Sequence, residues 1–437
     1  MTGERRGQVF VVGMNEFQRD QLETVTHADQ MDFHQLLPPE VVTRPEHRFA
    51  DLLERAREQL DEVGGSVDAI VAHWDFPTSV LARVLGRERG LPVPPLETVV
   101  ACEHKHWSRL EQRASVPEVT PAFAGFDPFD DDALSGIDLD YPFWIKPVKS
   151  HSSQLGFRTE SARDFREALA EIRERIRAFG DPFNEVLGMV ELPEPIAADS
   201  GNCCIAEQII SGDQATVEGA MSKGEFAVHG VIDSPKDEHG RHFSRYEYPA
   251  TSMPEQVQDR MIDASERYLR HIGYDNAAWN IEFMYDEHDD RLWLVEANTR
   301  ISQSHSELFV KVDGMSNHEV ALDVAFGRPP RLPHRRGDFT VAAKCFLWTE
   351  EMDDGIVRRV PSDDEVARVV ERFPGTHVRI AVEVGDRLSE LADQSSYRYD
   401  IGTLFIGAQS RDELVEAYGT CREMLPFEID PVSLPAR

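Results

Sequence analysis

The 437-residue sequence predicts an α/β and α+β protein, with a parallel α/β domain at the N-terminus, a central α+β domain and a C-terminal α+β domain. Buried-strand patterns alternate with helical patterns in the N-terminal part, which is typical of a parallel sheet. The central part has longer strands in hairpin pairs. A Pro- and Arg-rich stretch, RPPRLPHRRGD, then precedes a region of short alternating strands. We therefore predict domains at 1–96, 97–332 and 333–437.

The composition excludes several classes of protein. Acidic residues outnumber basic ones by 79 to 46, so the formal charge is −33 and neither nucleic acid nor an anionic membrane is an expected partner. A hydrophobic fraction of 41% supports a folded core, and no apolar run reaches the roughly 20 residues of a membrane-spanning helix. The five cysteines are widely spaced without a CxxC pair, so a reducing, cytoplasmic location is expected.

The N-terminal elements follow a strand–helix alternation. A buried strand is predicted at Val9–Gly13, an amphipathic helix at Asp51–Val63 and a second strand at Asp68–Trp74. The next helix should end at Gly90, because glycine commonly terminates helices. The sequence contains neither GxGxxG nor GxxxxGK[ST], so it does not support a Rossmann dinucleotide site or a P-loop.

The central elements begin with a strand at Tyr141–Val148 and an amphipathic helix at Ala162–Gly180. A buried strand at Asn202–Gly212 comes next. The segment Ala215–Ile232 is then predicted to form a hairpin that turns at Lys223-Gly224.

The remaining elements include helices at Val257–Ile272 and Glu319–Gly327. Between them, the strands AAWNIEFMYD and RLWLVEAN are joined by the acidic turn EHDD. The C-terminal region has short strands and one clear helix, Ser410–Leu425.

The most informative side chains lie on those two strands. Glu282 and Glu296 each interrupt an apolar strand, and pairing through the tight turn would place them side by side. Two neighbouring carboxylates repel each other unless a cation compensates them, and Mg²⁺ prefers such oxygen ligands. Asn298 shares the face of Glu296 and offers an amide oxygen, and Arg300 continues that face toward a phosphoryl or carboxylate group. The alternative is that these acids lie on the solvent face of a half-exposed hairpin.

This pattern resembles the ATP-grasp superfamily, closest to its biotin carboxylase and carbamoyl-phosphate synthase branch. The segment ANTRISQSHSELFVKVDGMSNHEVALDVAFG is similar to the branch's stretch from metal site to following helix. The resemblance implies a central ATP-grasp domain with a mobile lid at about 137–210. It also implies ATP and Mg²⁺ as cofactors, with two ions held by Glu282, Glu296 and Asn298, and with Mn²⁺ as a substitute.

The resemblance assigns phosphate-binding roles to several further residues. Lys105 matches the family's first ATP-phosphate lysine, and Lys146 matches the second. The chain has only seven lysines, which makes both matches more informative, although a surface lysine is the alternative for each. Ser152, Ser153 and Gly156 lie in the small-residue loop that would cover the phosphates; an ordinary polar turn is the alternative.

The resemblance also assigns residues to the nucleoside. Glu207, Gln208 and Ile210 match the adenine-binding hinge, where Glu207 would accept a hydrogen bond from the adenine amino group. Gln214 stands where the family contacts ribose. Glu218 lies on the strand that would face the active site.

Departures from the branch narrow the expected reaction. The glutamate base that the branch carries after Asn-Thr-Arg is missing, and Ser304 is at the nearest position. The arginine expected in the C-terminal domain is also absent, and Lys344 is the only basic residue in the matching stretch. A carboxylate–amine ligase is therefore expected, which forms an amide or peptide bond through an acyl phosphate and releases ADP and phosphate. Arg300 would hold the acyl phosphate, and Lys236 and Arg245 are candidates for binding the substrate carboxylate.

Two alternatives remain open at this stage. One is a bicarbonate-using carboxylase or carbamoyl-forming enzyme, and the other is a non-catalytic ATP-binding regulatory protein. The expected partners are small-molecule carboxylates and amines, including amino acids, and a homodimer is consistent with similar proteins.

Overall fold

The computed structural model describes residues 6–43, 47–150, 154–197, 200–236, 243–350, 352, 354–391 and 399–432. Its contacts divide the chain into two compact units, each assembled from separate segments. The first unit comprises Met1–His229, Pro254–Ser302 and Asn317–Arg331, and the second comprises Gly230–Met253, Gln303–Ser316 and Leu332–Arg437. The three sequential domains expected from the sequence stay a prediction.

The N-terminal part of the first unit contains the predicted parallel sheet. Its strands are β1 (Gly7–Val12), β2 (Met31–Leu36) and β3 (Ala69–Ala72), in the order β2-β1-β3. The helices are α1 (Glu16–Glu23), α2 (Pro39–Val42), α3 (Phe49–Glu62), α4 (Thr78–Glu88), α5 (Leu96–Glu103) and α6 (Lys105–Ser115). Helix α4 ends just before Gly90, whose φ of +69° is readily adopted only by glycine. The parallel α/β prediction is confirmed.

An antiparallel sheet follows in the same unit, in the order β4-β7-β5-β6. The elements are β4 (Phe123–Phe126), β5 (Phe143–Pro147), β6 (Phe157–Thr159), α7 (Ala162–Arg175), α8 (Arg177–Leu187), α9 (Glu194–Ala197) and β7 (Cys204–Gln208). The helix expected to stop at Gly180 instead breaks near Ile176 and continues to Leu187. Gly180 serves close packing here, since an added Cβ would lie 2.5 Å from the Gly201 carbonyl oxygen.

Next in the chain come the strands that carry the carboxylates. The elements are β8 (Asp213–Ser222), β9 (Glu225–Ser234), β10 (Arg245–Tyr248), α10 (Glu255–His271), β11 (Ala277–Asp286), β12 (Arg291–Asn298), α11 (Ser306–Asp313) and α12 (Asn317–Ala325). The β8–β9 hairpin turns at Lys223 and Gly224, as predicted, with φ of +54° and +81°. Within the first unit, β11 lies between β8 and β12, and all three are antiparallel.

The second unit takes the end of β9, together with β10, α11 and the C-terminal elements. These last are β13 (Val341–Trp348), β14 (Gly355–Arg359), α13 (Asp363–Arg372), β15 (His377–Ile380), β16 (Asp400–Ala408), α14 (Arg411–Met424) and β17 (Glu428–Pro431). Strands β10-β13-β16-β15 form consecutive antiparallel pairs, and β14 pairs with β17. The C-terminal region thus has a helix, α13, beyond the one expected, and a Ser362/Glu365 capping box starts it. Within the described ranges, no helix is long and apolar enough to cross a membrane.

Candidate functional site

The paired carboxylates form the centre of the candidate site. Strand pairing places Glu282 directly opposite Glu296, and Asn280 opposite Asn298, so the side-by-side placement predicted from the sequence is confirmed. Burial and the neighbouring charge of Glu296 raise the pKa of Glu282 to about 7. The pair therefore has negative charge at close range that a bound cation would neutralise.

Two amides hold the Glu282 carboxylate in place. Gln214 on β8 donates from Nε2 to Glu282 Oε2 at 2.9 Å, and Asn298 Nδ2 lies 3.5 Å from Glu282 Oε1. Asn298 Nδ2 also donates to Asn280 Oδ1 at 3.0 Å, so Oδ1 is the atom that Asn298 can offer to a cation. Gln214 thus contacts the carboxylate pair in this structure, and the ribose contact that the resemblance implies for it stays a prediction.

Lys105 faces the other carboxylate. Its Nζ lies 3.4 Å from Glu296 Oε1 and donates to the Ser150 carbonyl oxygen at 3.1 Å. Burial opposes ionisation of Glu296, but the positive charges of Lys105 and Lys146 outweigh it and hold its pKa below the usual value. Glu296 is therefore the ionised member of the pair at neutral pH.

Lys146 forms a second ion-pair cluster at the end of β7. Its Nζ lies 2.5 Å from Glu207 Oε2, while Arg109 Nε donates to Glu207 Oε1 at 2.6 Å. Burial would raise the pKa of Glu207, yet Arg109 and Lys146 lower it to about 2. Both carboxylate oxygens of Glu207 thus already face cations. Its role as an acceptor for adenine stays a prediction.

Arg300 is held by a residue that the sequence analysis missed. Arg300 Nε and Nη2 donate to the two carboxylate oxygens of Asp75 at 2.6 and 2.7 Å, a bidentate arrangement. Despite burial, Arg300 lowers the pKa of Asp75 to about 2. Asp75 follows β3 at the carboxyl edge of the parallel sheet, where α/β proteins commonly bind ligands, and that position is the signal that could have found it.

A further buried ion pair lies nearby and was also missed. Lys149 pairs with Glu103, and Ser79 Oγ donates to Glu103 Oε1 at 2.5 Å. Lys149 also lies over the rings of Phe76 and Phe183, 5.5 and 5.9 Å from their centroids. The small number of lysines was the signal that could have drawn attention to Lys149, since only seven occur in the chain.

Parts of the sequence are similar to known proteins. Residues 240–332 match the family model described as "Carbamoyl-phosphate synthase L chain, ATP binding domain". The carbamoyl phosphate synthase large chain of Mycobacterium tuberculosis (strain ATCC 25618 / H37Rv) is 34% identical over 301 residues, which cover 66% of this chain and 26% of that protein. That of Vibrio parahaemolyticus serotype O3:K6 is 27% identical over 172 residues, covering 38% of this chain and 15% of that protein. The chain therefore spans about a quarter or less of these curated relatives.

Solved structures extend the similarity to almost the whole chain. An L-amino acid ligase from Bacillus licheniformis has a TM-score of 0.70 at 15% identity, covering 97% of this chain and 99% of the other. Biotin carboxylase from Campylobacter jejuni has a TM-score of 0.63 at 14% identity, covering 97% and 92%. The N5-carboxyaminoimidazole ribonucleotide synthetase from Thermus thermophilus has 0.62 at 15%, covering 98% and 100%. The chain has the ATP-grasp fold.

Within this ATP-grasp fold, two residues predicted to contact the nucleotide or face the active site, Glu218 and Gln208, differ in their contacts and exposure. Strand register places Glu218 opposite Asn280, on the face of the carboxylate pair, as predicted. Glu218 accepts hydrogen bonds from Asn317 Nδ2 at 2.6 Å and from the Ser302 backbone N–H at 3.3 Å. Gln208 is exposed, and its backbone N–H donates to the Ala122 carbonyl oxygen at 2.9 Å.

The remaining lid and hinge predictions are not tested by these contacts. Ile210 and Gly156 are half-buried, and their proposed contacts with ATP stay predictions. Ser152 and Ser153 lie outside the described residues.

The two cations predicted to bind substrate lie in the second unit. Arg245 Nε donates to Glu247 Oε2 at 2.9 Å, and Glu247 is buried and also accepts from Arg411 at 2.9 Å. The charge of Arg245 is thus compensated within the protein. Lys236 pairs with Phe243 through an isolated β-bridge. Their substrate-binding roles stay predictions.

The side chains at the carboxylate pair fit a magnesium ion that binds together with a nucleotide. In the part of the chain that the structure describes, no group of three or more His, Cys, Asp or Glu side chains could hold a metal alone. Glu282, Glu296 and Asn298 supply oxygen donors only, which suits Mg²⁺, and Mg²⁺ often completes its shell with phosphate oxygens and water. A site of two carboxylates and one amide is therefore suited to Mg²⁺–ATP rather than to a tightly bound structural metal.

Proposed function

We propose that this protein is an ATP-dependent carboxylate–amine ligase. The observation that carries the proposal is the pair Glu282 and Glu296, which share one face of the sheet with Asn298. Lys105 lies beside Glu296. The arrangement combines a cation site with a lysine suited to phosphate, as phosphoryl transfer requires. The fold shared with an L-amino acid ligase supports the same reaction class.

The reaction would proceed in two displacements. A substrate carboxylate oxygen would form a bond to the γ-phosphorus of ATP while the bond to ADP breaks, giving an acyl phosphate. The amine nitrogen would then attack the acyl carbon, the carbon–oxygen bond to phosphate would break, and the amine would lose a proton to the medium or a base. The products are an amide, ADP and phosphate.

The side chains of the first unit would each have a defined part in this scheme. Glu282, Glu296 and Asn298 would hold Mg²⁺, which neutralises phosphate charge when it is bound. Lys105 and Lys146 would position phosphate oxygens. Lys105 would have to exchange or share its contact with Glu296, and Lys146 its contact with Glu207.

Arg300 would stabilise the acyl phosphate with the N–H groups that are not bonded to Asp75. Two of its nitrogens bond to Asp75, and Nη1 donates to the Ile301 carbonyl oxygen at 3.2 Å. Such a guanidinium is held in a fixed orientation, so it would present its remaining N–H groups to one position. Preorganised donors of this kind stabilise developing charge without rearranging.

A bicarbonate-using reaction is the second candidate. The 34% identity to a carbamoyl phosphate synthase large chain over 301 residues supports it. It predicts ATP hydrolysis that bicarbonate stimulates when no amine is present.

The decisive experiment is a screen of carboxylate and amine pairs for ADP release, with mass spectrometry of the products. The ligase proposal expects ADP release that requires both substrates, together with a condensed product whose mass equals the sum of the pair minus water. Release stimulated by bicarbonate alone would favour the second candidate. ATP binding with no ADP release from any pair or with bicarbonate would contradict both.

A further inference from the structure

The second unit contains a partly buried lysine in an unusual environment. Lys344 on β13 donates from Nζ to Ser304 Oγ at 3.0 Å and lies over the rings of Phe346 and Tyr246, 5.0 and 5.9 Å from their centroids. Among the residues that the structure describes, no carboxylate lies within ion-pair distance, 4.0 Å, of Lys344 Nζ. The ammonium group thus has a hydroxyl and two aromatic faces around it, but no described counter-ion in direct contact.

Other buried or half-buried lysines of the described chain have a carboxylate partner. Each of four lysines has a glutamate as its partner: Lys105, Lys146, Lys149 and Lys311. Burying a cation without an adjacent opposite charge is costly. Burial accordingly lowers the pKa of Lys344 to about 8, although the more distant charge of Asp400 partly opposes this. A bound anion would remove that cost.

The lysine borders a cluster of aromatic side chains, in which Phe346 is buried and Tyr246 and Trp348 are half-buried. Residues 344, 346 and 348 alternate along β13 and so share one face of the sheet. Phe346 and Trp348 stack with ring centroids 5.3 Å apart, and Tyr246 meets Phe346 edge-on at 5.5 Å. Trp348 Nε1 donates to the Phe243 carbonyl oxygen at 2.9 Å, which fixes the orientation of its ring.

We propose that Lys344, Ser304 and the aromatic surface formed by Tyr246, Phe346 and Trp348 bind an amino acid with an aromatic side chain. The Lys344 ammonium and the Ser304 hydroxyl would bind its carboxylate, and the side chain would pack on the rings. A carboxylate engaged by a lysine is a poorer nucleophile, so this amino acid would contribute its amine to the bond. The inference rests on the proposed ligase function, to which it adds the class of the amine substrate.

Calorimetric titration of the full-length protein with L-phenylalanine tests the site, with and without Mg²⁺–ATP. Two analogues separate the contacts: L-phenylalaninamide lacks the carboxylate, and L-alanine lacks the ring. We expect L-phenylalanine to bind at least about tenfold more tightly than either analogue. Equal affinity for L-phenylalanine and its amide, or no binding of L-phenylalanine, L-tyrosine or L-tryptophan, would overturn the proposal.

Two variants locate the binding to this surface. Lys344→Met keeps an unbranched side chain, one heavy atom shorter, but removes the charge. It should reduce the affinity for L-phenylalanine about tenfold, while leaving that for the amide unchanged. Phe346→Leu should weaken the binding of both L-phenylalanine and its amide. It provides an independent test of the site if Lys344→Met fails to fold. Lys223→Met, at the exposed β8–β9 turn, is the matched control and should bind like the wild type. Unchanged binding by both site variants would place the ligand elsewhere.

Glu296→Ala separates this inference from the proposed function. That variant should lose ATP turnover and still bind L-phenylalanine. If no carboxylate and amine pair releases ADP while L-phenylalanine still binds through Lys344, the ligase proposal fails and the binding surface stands. If ligation occurs but Lys344→Met leaves the KM for L-phenylalanine unchanged, the substrate assignment fails alone.

Discussion

Two glutamates on strands of the first unit, Glu207, which is buried, and Glu282, which is half-buried, have opposite electrostatic environments. Glu207 at the end of β7 faces Arg109 and Lys146, and its pKa falls to about 2. Glu282 on β11 faces the carboxylate of Glu296, and its pKa rises to about 7. Burial acts in the same direction on both groups, so the difference comes from the neighbouring charges.

The comparison separates a carboxylate that is balanced by cations of the protein from a carboxylate pair that is suited to bind a cation. The charge of Glu207 is balanced by the protein itself, which is typical of a structural ion pair. Glu282 has two amide partners and Glu296 faces Lys105, and a divalent cation would complete the neutralisation of the pair. We therefore expect changes at Glu207 to affect stability first, and changes at the carboxylate pair to affect ATP turnover first.

The largest expected effect is on turnover. Glu296→Ala should reduce ADP release by at least about 1,000-fold, because the site loses a charged ligand for the cation that neutralises phosphate. The folded state should persist, as judged by circular dichroism and by the thermal midpoint. Glu287→Ala, which removes an exposed acid in the turn between β11 and β12, should behave like the wild type. Near-wild-type turnover in Glu296→Ala would remove the carboxylate pair from the catalytic site.

For Glu207 we expect a loss of stability as the main effect of substitution. Glu207→Gln should lower the free energy of unfolding by about 3 kcal/mol at pH 7, since Arg109 and Lys146 lose a buried partner. The folded state lowers the pKa of Glu207 from 4.5 to about 2, so this stabilisation is fully present above pH 4.5 and is lost as the pH falls toward 2. Urea unfolding without nucleotide, at pH 7 and at pH 3, measures the difference. A difference between wild type and variant that does not shrink at pH 3 would contradict the ion-pair explanation.

The sequence predicted the carboxylate pair because its signal is local. An isolated acid in an apolar strand, a tight turn and a second such acid are all visible within Asn280–Arg300. Strand periodicity then places the side chains on one face without any knowledge of the rest of the fold. The turn at Lys223 was predictable for the same reason, since Lys-Gly between two apolar runs indicates a hairpin.

The partners of these residues could not be predicted in the same way. Asp75 and Arg300 are 225 positions apart, and neither periodicity nor composition connects them. The amide of Gln214 bonds to Glu282 across adjacent strands, a contact that the resemblance did not indicate, and its ribose contact stays a prediction. Charge compensation depends on three-dimensional proximity, and it decides which acids are already paired and which would bind a ligand.

A substitution of Asp75 tests whether the ion pair between Asp75 and Arg300, which lie far apart in the sequence, contributes to catalysis. Asp75→Asn keeps the shape but removes the charge that orients Arg300, so we expect kcat to fall about 10- to 100-fold with little change in the KM for ATP. Asp263→Asn, which loses an exposed pairing with Arg267 on α10, is the control and should leave kcat unchanged. If Asp75 only stabilises the fold, the thermal midpoint will fall while kcat stays at the wild-type value.

The smallest effect is expected for substitution of Lys146, whose charge acts on both Glu207 and Glu296. Lys146 pairs with Glu207 and also lowers the pKa of Glu296, so its charge acts on the ion-pair cluster and on the carboxylate pair. Lys146→Ala leaves Glu207 paired with Arg109, and the loss of stability should therefore be smaller than that of Glu207→Gln. The KM for ATP should rise about tenfold, because one phosphate-binding charge is lost, and Lys146→Arg should restore part of the affinity. A Lys146→Ala variant with unchanged KM and kcat but reduced stability would assign this lysine to the fold alone.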